Sequence, residues 1–240
     1  MEKEVYLRHI ENENKHWWFK ARREILNFQI KKYKYKNKMN VLDFGAGSGT
    51  NIGMLSYFGK VDVYEKDAKT SRFLKKRYQN KKINIINKPF SRIQKYDLIL
   101  AADVIEHIKD DKKIINDLNK ILKKNGLLII TVPAYNFLFS KKDESLKHFR
   151  RYNHVNLERL FDKSFLKIKM SYYNFFLFLP ISILIIFFKI INYQFINDVE
   201  KKPITSINFI FYSIFRFEKF ILKWVNFPFG LSILSIFKKR

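Results

Sequence analysis

Eleven residues, Val41-Leu42-Asp43-Phe44-Gly45-Ala46-Gly47-Ser48-Gly49-Thr50-Asn51, constrain this chain more than any others. The apolar run Val41 to Phe44 reads as a buried strand. Three glycines follow at alternate positions. Gly45 permits a tight turn with positive φ, while Gly47 and Gly49 lack the Cβ that would hold a ligand off the backbone. The residues after Asn51 read as a helix whose first N–H groups point into the loop. An α/β ligand site of this kind calls for an acid roughly 20 positions past the first glycine, to take ribose hydroxyls. Val61-Asp62-Val63-Tyr64-Glu65 is an alternating strand that delivers Glu65 there.

The rest of the chain alternates in the same way. Ile83 to Ile86 and Tyr96 to Ala102 read as the third and fourth strands. Asp103-Val104-Ile105-Glu106-His107 follows; on a helical turn Asp103 and His107 would share a face, with Glu106 a solvated or capping acid. A helix from Asp110 to Lys123 ends at Asn125-Gly126, and Leu127 to Val132 is a fifth strand. The loop beyond carries His148-Phe149-Arg150-Arg151-Tyr152. Its arginines either pair with Asp143 or Glu144, or present bidentate forks to a phosphate or carboxylate on an acceptor. Asn156 to Asp162 is a short helix, and Phe165 to Tyr172 alternates as strand six. Residues 1–38 form a helical cap in which Trp18, Arg22 and Ile25 recur at helical spacing. Trp17 and Trp18 either pack on the domain or form a lid over cofactor or acceptor.

The G-x-G-x-G loop behind Asp43 resembles the first motif of the class I S-adenosylmethionine-dependent methyltransferases rather than the dinucleotide G-x-G-x-x-G. The Asp-Val-Ile-Glu-His segment at 103–107 resembles that of quinone-biosynthesis O-methyltransferases. His16-Trp17-Trp18-Phe19, Arg22-Arg23 and the His-x-Arg-Arg-Tyr at 148–152 resemble a bacterial group found beside polysaccharide enzymes. The resemblance covers roughly residues 16–173. It implies a doubly wound, mostly parallel seven-stranded sheet, the Rossmann-like methyltransferase fold, over a core at 39–173 closed by a last strand at 229–240. It implies S-adenosyl-L-methionine as cofactor, held by Asp43, Gly45, Ala46, Gly47, Gly49, Glu65 and Asp103. The family's adenine-contacting acid is missing after strand three, where Asn87 stands. His148 and His107 are the candidate bases, with His148 favoured, and Arg150, Arg151, Tyr152, Trp17 and Trp18 are the candidate acceptor contacts. No metal-binding set is expected.

Charge then narrows the partner. The formal net charge of +25 favours an anionic partner: nucleic acid, an anionic membrane or a phosphorylated substrate. Nucleic acid is disfavoured, since Ala-Ala-Asp-Val stands where exocyclic-amine methyltransferases carry Asn/Asp-Pro-Pro-aromatic, and C5 enzymes need a cysteine. The chain has no cysteine, which excludes disulfides, a Cys₄ zinc site and a radical iron–sulfur cluster. The expected activity is O-methylation of a small or lipid-linked acceptor such as a cell-envelope sugar. A nucleic-acid methyltransferase and a catalytically idle, membrane-associated adaptor are the alternatives.

Composition changes after strand six. Residues 174–228 read as a membrane-associated helical insert: an apolar run Phe175 to Ile191, then an amphipathic helix over 204–225. Asn208, Tyr212, Arg216, Lys219 and Lys223 share one face of that helix, and Ile207, Ile210, Phe211, Ile214, Ile221 and Val225 the other. Glu218 falls within the apolar arc. The run is at the short limit for a span and contains Pro180. The expected arrangement is monotopic or peripheral on the cytoplasmic membrane, with the lysines toward anionic headgroups. The N-terminus carries acids and no apolar h-region, so no signal peptide is expected.

Overall fold

The structure is a computed structural model and describes residues 12–34, 36–79, 83–91, 95–191 and 205–240. The start of the expected cap and the stretch joining the two apolar helices lie outside the described residues.

Seven strands among the described residues form one sheet in the order β3-β2-β1-β4-β5-β7-β6. They are β1 (Met39–Phe44), β2 (Gly59–Tyr64), β3 (Ile83–Ile86), β4 (Tyr96–Ala102), β5 (Leu122–Pro133), β6 (Phe165–Tyr173) and β7 (Ser232–Lys239). The first five pair in parallel, and β7 lies antiparallel between β5 and β6. Central parallel strands are covered on both faces, which is why Val41, Leu42, Leu98, Ile99, Ile129 and Ile130 are all buried. The strand order reverses between β1 and β4, so the loops after these two strands open onto one crevice.

Helices α1 (Trp17–Tyr33), α2 (Ile52–Leu55), α3 (Ala68–Arg77) and α4 (Asp111–Ile121) accompany this half. Asp110 caps α4 by accepting from the Lys113 N–H at 2.9 Å, and Ile115, Leu118 and Ile121 bury its inner face. The helix stops at Ile121, earlier than the sequence suggested. Asn125, at φ +64°, belongs to an irregular start of β5 and not to a helix C-cap. Two short helices, α5 (Lys141–Ser145) and α6 (His154–Glu158), follow β5.

Helices α7 (Phe178–Ile190) and α8 (Thr205–Ile221) stand between β6 and β7 in the chain. Among the described residues no helix is long and apolar enough to cross a membrane. Helix α8 runs parallel to α1, and its polar line is not turned outward as expected. Asn208 accepts from the Trp17 N–H at 2.8 Å, and Glu24 on α1 accepts from Arg216 at 2.8 Å, Lys219 at 2.6 Å and the Tyr212 hydroxyl. Phe211 and Phe215 pack on Trp17. Ile214 and Ile221 pack half-buried against the core, while Ile207, Phe209, Ile210, Phe217 and Phe220 of α8 are left exposed. Glu218 is buried, accepting from the backbone N–H of Asn174 at 2.7 Å and of Phe176 at 3.1 Å, so it holds the bend where β6 gives way to α7.

Candidate active site

The glycine loop sits at the carboxyl end of β1. Gly47 has φ +56°, and a Cβ built there would meet nothing within 4 Å, so the loop faces open space at this point. Its N–H donates to Glu65 Oε2 at 2.9 Å, while the Asp67 N–H donates to Oε1 at 2.9 Å. Glu65 thus stands at the loop where the spacing put it. Gly49 differs from expectation: a Cβ there would run into Ile52, Leu74 and Tyr78, so core packing, not ligand approach, requires that glycine. At Gly45, φ +75°, the close neighbour is Val104, which brings the end of β4 against the loop.

Around the loop lie three buried polar atoms without a hydrogen-bond partner: Asp43 Oδ2, Arg22 Nε and Asn51 Oδ1. Burial raises the Asp43 carboxyl to about 7; Arg22 opposes the rise and Glu65 adds to it. Arg22 reaches in from α1 and pairs with Asp103. Asp103 has φ +57°, donates its N–H to the Thr131 carbonyl and accepts from the Thr131 hydroxyl, both at 2.9 Å. The helical turn expected for Asp103 and His107 is therefore replaced by a left-handed residue and a 3₁₀ turn, Ile105–His107. Glu13 closes the other side, accepting from Arg77 and from the Ser48 hydroxyl at 3.2 Å. Asn87 is exposed and lines an open cleft with Glu65, Tyr64 and Arg72.

Beyond Asp103 the two candidate bases meet. The rings of His107 and His148 are edge to face with centroids 4.5 Å apart. Asp143 Oδ1 lies 2.8 Å from His148 Nδ1, and the same carboxylate accepts Nε and Nη2 of Arg151 at 2.9 Å each. Burial pushes Asp143 up, but the bonds from His148 and Arg151 outweigh it and hold the carboxyl below the usual range. Burial and the neighbouring His148 hold the His107 imidazole down to about 4, so it is neutral at physiological pH.

Several residues expected on the acceptor surface have other work. Arg151 is held by Asp143, and Arg150 binds Asp111 and the Lys109 carbonyl, each at 2.7 Å. Tyr152 is buried, its hydroxyl donating to Asp111 at 2.9 Å. Trp17 and Trp18 pack on Phe215 of α8, and Trp18 also stacks on Tyr173. Glu106 is fully buried with neither oxygen partnered, not solvated as its sequence suggested. Burial and Asp103 raise its carboxyl well above the usual value. Glu106, His107 and His148 offer ligand atoms within 4.8 Å of one another, a donor set for a divalent cation that the sequence reading did not anticipate. Sequence reasoning also missed Glu13 and the site role of Arg22; an arginine at core spacing on an apolar helix face was the available signal.

Residues 9–175 match the family of methyltransferase domains. The chain is 28% identical over 118 residues to the mitochondrial ubiquinone biosynthesis O-methyltransferase of Dictyostelium discoideum, an overlap of 42% of this chain and 37% of the relative. It is 33% identical over 111 residues to the protein-L-isoaspartate O-methyltransferase of Pyrococcus abyssi, covering 42% and 49%. The alignments thus span about half or less of these relatives' length. Among solved structures, the YcgJ protein of Bacillus subtilis superposes with a TM-score of 0.58 at 13% identity, covering 90% of this chain and 98% of that one. The S-adenosyl-L-methionine complex of Haemonchus contortus phosphoethanolamine N-methyltransferase 2 gives 0.57 at 15% identity, covering 89% and 52%.

Proposed function

Because the chain belongs to the methyltransferase domain family, we propose that it transfers the methyl group of S-adenosyl-L-methionine to a hydroxyl of a small acceptor. The observation that carries this reading is the Asp143–His148 pair at the carboxyl-end crevice, 2.8 Å across. A carboxylate on Nδ1 fixes the tautomer and leaves Nε2 to take the acceptor proton, the arrangement general-base catalysis requires. Two of the relatives' names, a ubiquinone biosynthesis and an isoaspartate O-methyltransferase, favour oxygen as the accepting atom.

The residues present fit the cofactor. When bound it supplies a methyl group already activated on sulfonium, so the protein's tasks are alignment and exclusion of water. Glu65 would take the ribose hydroxyls, and the free space at Gly47 leaves room at the loop. The orphaned Asp43 Oδ2 and Arg22 Nε suit the ammonium and carboxylate of the methionine end. Asn87 shares a cleft with Glu65, which supports an adenine contact there.

The finer reading is a lipid-linked acceptor, such as a cell-envelope sugar. The loop that carries His148 supports it, since Tyr135 at its start packs on Phe178 of the apolar helix α7 with ring centroids 5.6 Å apart. Mass spectrometry of lipid extracts and envelope glycans from cells with and without the protein tests it. The expected difference is one species heavier by a methylene group; an unchanged envelope with an intact His148-dependent activity elsewhere would sink the lipid-linked acceptor alone. A steep salt dependence of RNA binding would instead favour a nucleic-acid acceptor, and absence of cofactor binding in calorimetry an idle adaptor.

A second reading of the chemistry comes from Glu106. Its unpartnered carboxylate beside two imidazoles suits a divalent cation that would itself lower the hydroxyl's pKa. Chelation separates the two: activity that survives removal of divalent ions leaves the His148 base.

A further inference from the structure

We propose that the outward faces of α7 and α8 form one platform that docks the protein onto an anionic lipid leaflet. This inference goes beyond the methyl-transfer reading and does not depend on it.

The argument starts from how α8 is held. An amphipathic helix on an isolated domain normally buries its apolar face. Here Glu24 and the Trp17 N–H take the polar line, and Arg216 and Lys219 bind inward. Rotating the helix to hide its apolar side would break those bonds. Phe217, Phe220 and Trp224 are left 55%, 54% and 80% exposed. On α7, Ile183, Phe187 and Ile190 are 60%, 53% and 76% exposed. The two exposed faces join where Phe176, just before α7, meets Phe217 with ring centroids 6.4 Å apart. Large contiguous apolar surface of this kind marks a contact site.

Charge selects the occupant. Lys223 lies over the Trp224 ring at 4.6 Å, and both Lys223 and Lys189 of α7 are exposed. Cations set beside outward aromatics meet headgroups while the rings enter the acyl boundary. The chain as a whole carries +25. A second copy would bring lysines against lysines across the same face, whereas anionic lipid complements them. Helix α7 has 13 residues, so it lies on the leaflet and does not cross it.

The test uses the full chain and vesicles of phosphatidylcholine alone or mixed with phosphatidylglycerol. Co-sedimentation with the anionic vesicles is expected, falling with salt, and far weaker with the neutral ones. Trp224 is the exposed indole, so its emission shifts to the blue on binding. The combined variant Phe217→Ser, Phe220→Ser, Trp224→Ser is expected to lose at least about tenfold in partitioning while S-adenosylmethionine titration stays unchanged. Should that variant fail to fold, Trp224→Ser alone and the lipid series on the unaltered chain still decide. Failure of the unaltered chain to sediment with anionic vesicles overturns the proposal. So does self-association that the Ser variants abolish, which would assign the face to a second copy. Because no acceptor or turnover is involved, failure here leaves the methyl-transfer reading standing, and loss of turnover leaves this one.

Discussion

The Asp143 carboxylate lies 2.8 Å from Nδ1 of His148 and so decides which imidazole nitrogen is left to receive a proton. Arg151 clamps the same carboxylate through two bonds of 2.9 Å. The loop after β5 is thus braced behind its histidine. His148→Ala is expected to lower kcat at least about tenfold, toward the usual general-base contribution. Asp143→Asn should lower kcat by roughly tenfold or more with KM for the cofactor unchanged. Single-turnover rates at saturating cofactor check both, and unchanged rates in His148→Ala remove it as the base.

Glu65→Ala and Gly47→Val should both weaken the cofactor, for different reasons. The first removes charge-assisted hydrogen bonds, each worth roughly 1.5–3 kcal/mol, so affinity drops while the fold persists. The second puts a β-branched side chain at φ +56° in the open space beside the loop, so binding disappears and stability also falls by about 1–2 kcal/mol. Calorimetry and thermal unfolding on the same samples separate the effects. Full affinity in Glu65→Ala would contradict its ribose role.

Glu218 gives a pH signature. Burial raises its carboxyl from 4.5 to about 7, despite the backbone N–H groups of Phe176 and Asn174 that oppose the rise. The unfolded chain loses this proton first, so unfolding releases a proton throughout that window and stability falls as pH rises from about 4.5 to about 7. The full effect is about 3 kcal/mol. Glu218→Gln should flatten this part of the slope, leaving that of Asp43, which has the same sign. Urea midpoints measured at about pH 5 and about pH 8 read it directly; a slope identical in the variant refutes the assignment.

Glu24→Gln should loosen α8 without touching the sheet. Burial pushes the Glu24 carboxyl up, but its bonds from Lys219 and Tyr212 hold it below the usual value. Its stabilising contribution is present above the ordinary carboxylate pKa and is lost as pH falls through the lowered one. Hydrogen exchange is the measurement: amides of α8 should exchange at least about tenfold faster in the variant, with those of β1 and β4 unchanged.

The glycine loop, Glu65 and the parallel strands were legible because each is a local pattern: a period, a spacing, a turn residue. The direction in which α8 faces was not. Periodicity shows that Asn208, Tyr212, Arg216 and Lys219 share a side, but it does not say whether that side meets solvent, lipid or protein. The answer depended on Glu24, nearly the whole chain away. The partners of the arginines at 150 and 151 were only half legible for a related reason. Asp111, from the far side of β5, pairs with Arg150, whereas Asp143, eight positions from Arg151 on the same loop, was one of the two partners the sequence offered. Glu106 looked solvated, and Glu218 sat unexplained in an apolar arc, because sequence prices a carboxylate by type, whereas their burial is set by neighbours on other elements.

The parallel contact of α1 with α8 also fixes an order of events in synthesis. Trp17 meets Asn208 across 191 positions, and Lys32 meets the Lys223 carbonyl across the same interval. Strand β7 then slots between β5 and β6. Pairings so distant along the chain are the slow ones to form. While the ribosome works through β1 to β6, the indoles of α1 lack their α8 partners Phe211 and Phe215, and the place of β7 beside β5 stays open. The sheet is therefore completed only once β7 has been made, and until then the nascent chain offers chaperones both a bare sheet edge and an aromatic helix still lacking its α8 partner.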